Sequence, residues 1–111
     1  MSWDFWMEID TGGPEPVEMG GDANYTWNCA PMYYKLFEGQ LENGIRSFDG
    51  MQGSDALPLL NDGIARMTRD FAEFEKLNPE NGWGSAEGAL DILKKLRAWC
   101  ESHPKATLRV V

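Results

Sequence analysis

The first 28 residues contain six acidic side chains and not one lysine or arginine. Across all 111 residues, eighteen acids face ten bases, a net charge of −8. The chain lacks the basic footprint by which proteins displace counterions from phosphate backbones, so charge argues against direct nucleic-acid binding and for a basic partner. Histidine and cysteine are scarce too. His103 stands alone, and Cys29 and Cys100 lie in unrelated contexts. Such a set cannot supply clustered zinc ligands or a disulfide framework, so both cysteines read as buried thiols, and neither metal nor cofactor is expected. Long apolar runs are also missing, with nothing approaching the roughly 18 apolar residues of a membrane span. The opening Met1-Ser2-Trp3-Asp4-Phe5-Trp6 has neither the basic nor the apolar region of a secretory signal. These absences predict a cytoplasmic protein with no membrane partner.

What is present is an ordinary globular composition, 42% hydrophobic and 12% aromatic, in a length suited to a single domain over 1–111 with its own core. Its charge is unevenly placed. Residues 1–55 hold ten acids and two bases, Lys35 and Arg46, whereas residues 56–111 hold eight of each. The whole imbalance belongs to the first half, which marks either an interaction surface or a device for solubility.

Apolar periodicity supplies the elements. Trp3, Phe5, Met7 and Ile9 alternate with Asp4, Trp6, Glu8 and Asp10, the pattern of a half-buried strand. Thr11-Gly12-Gly13-Pro14 is a turn signal, and Val17 and Met19 share one face of a returning strand, giving a hairpin tipped by Glu15. After Gly20-Gly21-Asp22, Tyr25, Trp27 and Cys29 alternate with Asn24, Thr26 and Asn28, which predicts a third strand over Asn24–Cys29. Pro31 opens a short helix carrying Met32, Tyr33, Leu36 and Phe37. From Ser54, a plausible N-cap residue type, Leu57, Leu60, Ile64, Met67, Phe71 and Phe74 recur at helical spacing until Asn78-Pro79. Ser85 caps a second long helix, running to about Ser102, with the stripe Ala86, Ala89, Leu90, Leu93, Leu96 and Cys100. Thr107–Val111 offers a final strand. The expected fold is α+β, a small antiparallel sheet covered on one face by two main helices.

That arrangement leaves the other sheet face to solvent, carrying Asp4, Trp6, Glu8, Asp10 and Glu18, with Glu15 at the tip. A solvated sheet face normally mixes both charge signs, and the first three strands provide none of the positive sign. Trp6 is a large aromatic on this polar face, and tryptophan is enriched among interface anchors, while rim carboxylates steer basic partners. These six residues form the candidate partner-binding set. Carboxylates two apart on a strand lie roughly 7 Å apart, and a DNA strand presents a charge about every 3.4 Å. A single strand cannot copy that spacing, but carboxylates on neighbouring strands fill in, so mimicry of DNA is compatible with the pattern.

Catalysis has little to work with. Cys100 and His103 are three apart, but Cys100 falls on the apolar stripe and His103 at the helix end. Gly82-Trp83-Gly84-Ser85 lacks the spacing of a phosphate-binding loop. A non-enzymatic role is expected. A second candidate set, for a ligand or an indole lid over the helix pair, is Asn28, Tyr33, Tyr34, Asn81 and Trp83.

The series Asn24-Tyr25-Thr26-Trp27-Asn28, Pro31-Met32-Tyr33-Tyr34, Gly44-Ile45-Arg46-Ser47-Phe48-Asp49-Gly50, Asn81-Gly82-Trp83-Gly84 and His103-Pro104 resembles a group of small proteins of actinobacteria and their phages. The group carries no assigned activity, and the N-terminal hairpin lies outside the matched pattern. The resemblance implies a bacterial or phage-infected host cell. Two functions are expected from these features: an acidic accessory or anti-defence inhibitor that blocks a basic, nucleic-acid-handling host protein, or a structural or small-ligand module built on Tyr33, Tyr34 and Trp83.

Overall fold

Strict alternation in the first ten residues becomes the middle strand of a three-stranded antiparallel sheet. In the computed structural model, which describes residues 1–111, β1 (Ser2–Ile9) lies between β2 (Val17–Thr26) and β3 (Thr107–Val110). Trp3, Phe5 and Met7 of β1 are buried. They face Tyr25, Ala23 and Met19 across one interface, and Phe5 and Met7 face Val110 and Leu108 across the other. The fold is α+β, with α1 (Ala30–Leu36), α2 (Gly53–Arg69), α3 (Phe71–Glu75) and α4 (Ala86–Ser102).

The third strand expected over Asn24–Cys29 is not separate. Its first three residues continue β2, because Gly20-Gly21 makes a bulge where a turn was expected. Trp6 pairs with Asp22 and Met7 with Met19, leaving the two glycines looped out of register, with Gly20 at φ +75°. Such a φ is open to glycine at little cost. Trp27–Cys29 then leaves the sheet as a 3-10 turn, since the Thr26 side chain accepts a hydrogen bond from the Asn28 amide and redirects the chain.

The helices bury most of the stripes their spacing predicts, with Leu57 and Phe71 only partly buried. All six stripe residues of α4 are buried, and Leu60, Ile64 and Met67 of α2 meet them. Each large side chain removed from water contributes about 1.5–3 kcal/mol. Ser85 caps α4 as expected, its hydroxyl accepting from the Gly88 amide at 3.0 Å. The start and end of the first long helix are corrected. It begins at Gly53 with Gln52 as N-cap in place of Ser54, and it breaks at Asp70 before α3 brings Phe74 into the core. Gly53 is required there because a Cβ would stand 2.8 Å from the His103 carbonyl oxygen. Thr68 bonds back to the Ile64 carbonyl at 2.7 Å just before the break, a contact that bends helices.

Candidate functional site

The polar face of the sheet is built by the even residues of β1 and their partners. Asp4 faces Asn24, Trp6 faces Asp22, and Glu8 faces Glu18. On the other side Trp6 faces Arg109 and Glu8 faces Thr107. The expectation of a face without bases is therefore overturned. β3 brings Arg109 from the far end of the chain onto its centre. The guanidinium lies 5.6 Å from the centre of the Trp6 ring, donates from Nε to Asp49 Oδ1 at 2.7 Å, and donates from Nη1 to Glu8 Oε1 at 3.2 Å. Trp6 Nε1 donates to the other Glu8 oxygen at 3.1 Å.

Trp6 is half-buried under this arrangement and its one polar atom is satisfied, so it is not a free interface anchor. Glu8 is likewise committed within the fold. Burial alone would raise the Asp49 carboxyl, but bonds from Arg109 and from the Val110 amide outweigh it and hold the group below the usual carboxylate range. The bonds to Asp49 and then to Glu8 raise the Arg109 guanidinium further.

Asp4, Asp10, Glu15 and Glu18 have a different setting, and Asp22 joins them. None enters any of the six ion pairs of the structure. Asp4 accepts only from the neutral Asn24 side chain at 2.8 Å, and Asp10 accepts from the Gly12 amide at 2.8 Å to shape the turn. Every residue from Asp10 to Glu18 is exposed, so the hairpin end carries its carboxylates clear of the core. Glu18 stands opposite Glu8, a like-charge pair that Arg109 relieves on only one side.

The hairpin also supplies the open edge of the sheet. The far side of β3 is covered by the chain at 50–53, through Gly50 N to Leu108 O, Leu108 N to Met51 O and Gly53 N to Ala106 O at 2.7–2.8 Å. β2 pairs only with β1. Its edge is guarded by acids and by the Gly20-Gly21 bulge, both devices that discourage pairing with a second copy.

The second candidate set assembles only in part, since Tyr33 and Tyr34 line one groove and Asn28, Asn81 and Trp83 lie outside it. Tyr33 is fully buried, donating from its hydroxyl to the Ala89 carbonyl at 2.9 Å and meeting Trp3 edge-on. Tyr34, next along the helix, is 53% exposed. Trp83 is 70% exposed and is no lid, because Gly82 and Gly84 hold its loop in a turn closed by the Asn81 side chain on the Trp83 amide. Asn28 and Asn81 are exposed and serve local turns. The aromatic that accompanies Tyr34 is Trp27, missed because alternation assigned it to the inner face of a strand. Arg109 was legible: Leu108 and Val110 as core residues put it on the polar face.

Neither thiol is an activated nucleophile. Burial raises the Cys29 thiol, whose Sγ lies 3.6 Å from the Tyr25 hydroxyl, and pushes Cys100 up to about 11. No group of three or more His, Cys, Asp or Glu side chains is placed to hold a metal ion. No helix is long and apolar enough to cross a membrane. No protein-family model, curated protein or solved structure matches the chain.

Proposed function

We propose that this is a non-enzymatic binding protein whose acidic hairpin docks into a basic groove of a partner protein, a groove of the kind that otherwise holds nucleic acid. The observation that carries the reading is the set Asp4, Asp10, Glu15, Glu18 and Asp22, five carboxylates on one hairpin that holds no base and gives them no cationic partner, whereas the second half of the chain mixes its acids with an equal number of bases and pairs four of them, Asp62, Asp70, Glu73 and Glu101. Unneutralised charge held on a rigid two-stranded arm raises the rate of encounter with a basic surface and fixes its orientation. Occupation of the groove blocks it, so the protein acts as an inhibitor, in keeping with an accessory or anti-defence role in a bacterial or phage-infected cell. Glu8 and Trp6 lie beside these acids on the same face and are held within the fold by Arg109.

The test reverses Asp10, Glu15, Glu18 and Asp22 to lysine together and compares capture of binding proteins from bacterial lysate with a control reversing Glu73, Glu87, Asp91 and Glu101. The expected result is a captured protein that is lost with the hairpin variant, retained with the control, released as salt approaches about 1 M, where the screening length falls to about 3 Å, and displaced by duplex DNA. Equal capture by both variants overturns the proposal.

A further inference from the structure

A second surface, lined by none of the hairpin's acids, has the reverse character. Trp27 and Tyr34 flank a groove of about 310 Å³ whose other lining residues include Trp3, Tyr33, Ile45 and Arg46. Trp3, Tyr33 and Ile45 are buried core residues, so the floor is rigid, while the flanking Trp27 is 42% exposed. Tyr33 is pinned through its hydroxyl to α4, and Gly44 lets the Gly44–Phe48 3-10 turn approach α1 closely, with its Cβ position 3.4 Å from the Tyr34 amide nitrogen. The groove is thus preformed, and its volume falls at the small end of the range for small-molecule sites, about 300–1,000 Å³.

Its electrostatics select the ligand. No acid lines the groove, in a chain with eighteen of them. The one charged lining residue is Arg46, which is exposed and takes part in none of the ion pairs. The other base of the first half, Lys35, lies over the Phe74 ring at 5.2 Å. Asp49, which shares an adjoining polar hollow with Arg46, Asn43 and Ser47 and whose carboxyl is lowered in small part by the Arg46 charge, directs Oδ1 to Arg109 and to the Val110 amide, and no acid is hydrogen-bonded to Arg46. Two exposed rings alone would suit a quaternary ammonium by cation–π attraction, but a neighbouring guanidinium repels a cation and binds an oxyanion through its planar fork.

From this geometry we infer that the groove binds a small aromatic anion, its ring held between Trp27 and Tyr34 and its carboxylate or phosphate on Arg46. This site is independent of the hairpin.

The test uses three matched probes, 2-naphthoate, 2-naphthamide and (2-naphthylmethyl)trimethylammonium, titrated into the full chain and followed by calorimetry and amide chemical-shift mapping. The expected result is 1:1 binding of naphthoate with shifts at Trp27, Tyr34 and Arg46, at least tenfold tighter than the amide, and the cation weakest. Arg46→Gln should remove the preference for naphthoate over the amide, and Tyr34→Ala should weaken both. Both positions are exposed, and unchanged thermal unfolding confirms that the variants fold. Should Trp27→Ala lose its fold, Tyr34→Ala still tests the ring contact. The inference fails if naphthoate and the amide bind alike, if the cation binds best, if Arg46→Gln leaves the preference intact, or if none of the probes shifts these amides.

Discussion

Replacing Arg109 by methionine removes the only base on the polar sheet face while keeping an apolar stem over Trp6. Two ion pairs are lost, to Asp49 and Glu8, and solvent reaches 32% of the arginine side chain, 30% of Asp49 and 21% of Glu8. At that exposure each pair is discounted to about 0.5–1 kcal/mol. The guanidinium contact with the Trp6 ring adds about 0.5 kcal/mol. The carboxylates left behind repel each other and Glu18, so the expected loss is about 2 kcal/mol, or roughly 10 °C in Tm for a domain of this size. Urea unfolding should show a lower midpoint with an unchanged slope. The pH dependence gives an independent check. Asp49 has a lowered folded-state value, so its contribution is complete above the unfolded value of about 3.9 and is lost as pH falls through the folded one. The variant should lose the larger, Arg109-dependent part of that acid-limb component and keep the part supplied by the Val110 amide. A loss below about 0.3 kcal/mol, within the range of ordinary surface changes, or an unchanged acid limb, would refute the cluster as a unit.

Two further outcomes follow from the packing of β2 against α4. The Tyr25 hydroxyl donates to the Ser85 carbonyl at 3.1 Å and accepts from the Ser85 amide at 3.0 Å, so Tyr25→Phe leaves both without that partner and should cost about 1–2 kcal/mol in urea unfolding, whereas no loss would mean water replaces the hydroxyl. Cys100, at about 11, has about one thiol in a thousand ionised at pH 8, and Cys29 is raised too, so a disulfide reagent should label the native protein far more slowly than the urea-unfolded chain; equal rates would contradict the burial of both.

Much of the fold was readable. The alternation of Trp3, Phe5 and Met7 against Asp4, Trp6 and Glu8 reappears residue for residue in β1, and the α4 stripe and its Ser85 cap stand as spaced. The failures share a cause. Gly20-Gly21-Asp22 and Asn24–Cys29 have the local chemistry of a turn and a strand, yet pairing with the full length of β1 turns the first into a bulge and a capping side chain ends the second early. Asp4, Asp10, Glu15 and Glu18 are exposed and unpaired, as their place on the hairpin's polar side led one to expect, because an exposed carboxylate needs no particular neighbour. The expectation is revised for Trp6 and Glu8, whose surroundings come from another strand.

By itself the sequence determined which residues face inward along β1 and α4, and that the acids cluster in the hairpin, because covalent geometry sets the two periods and water selects the face. Strand order was decided only in three dimensions. Which strand lies beside β1 depends on burying Leu108 and Val110 with Phe5 and Met7, a gain shared among residues about a hundred positions apart in the chain. That closure sets Arg109 over Trp6 and tethers Asp49 and Glu8. It leaves the remaining hairpin acids outside the ion pairs of the fold.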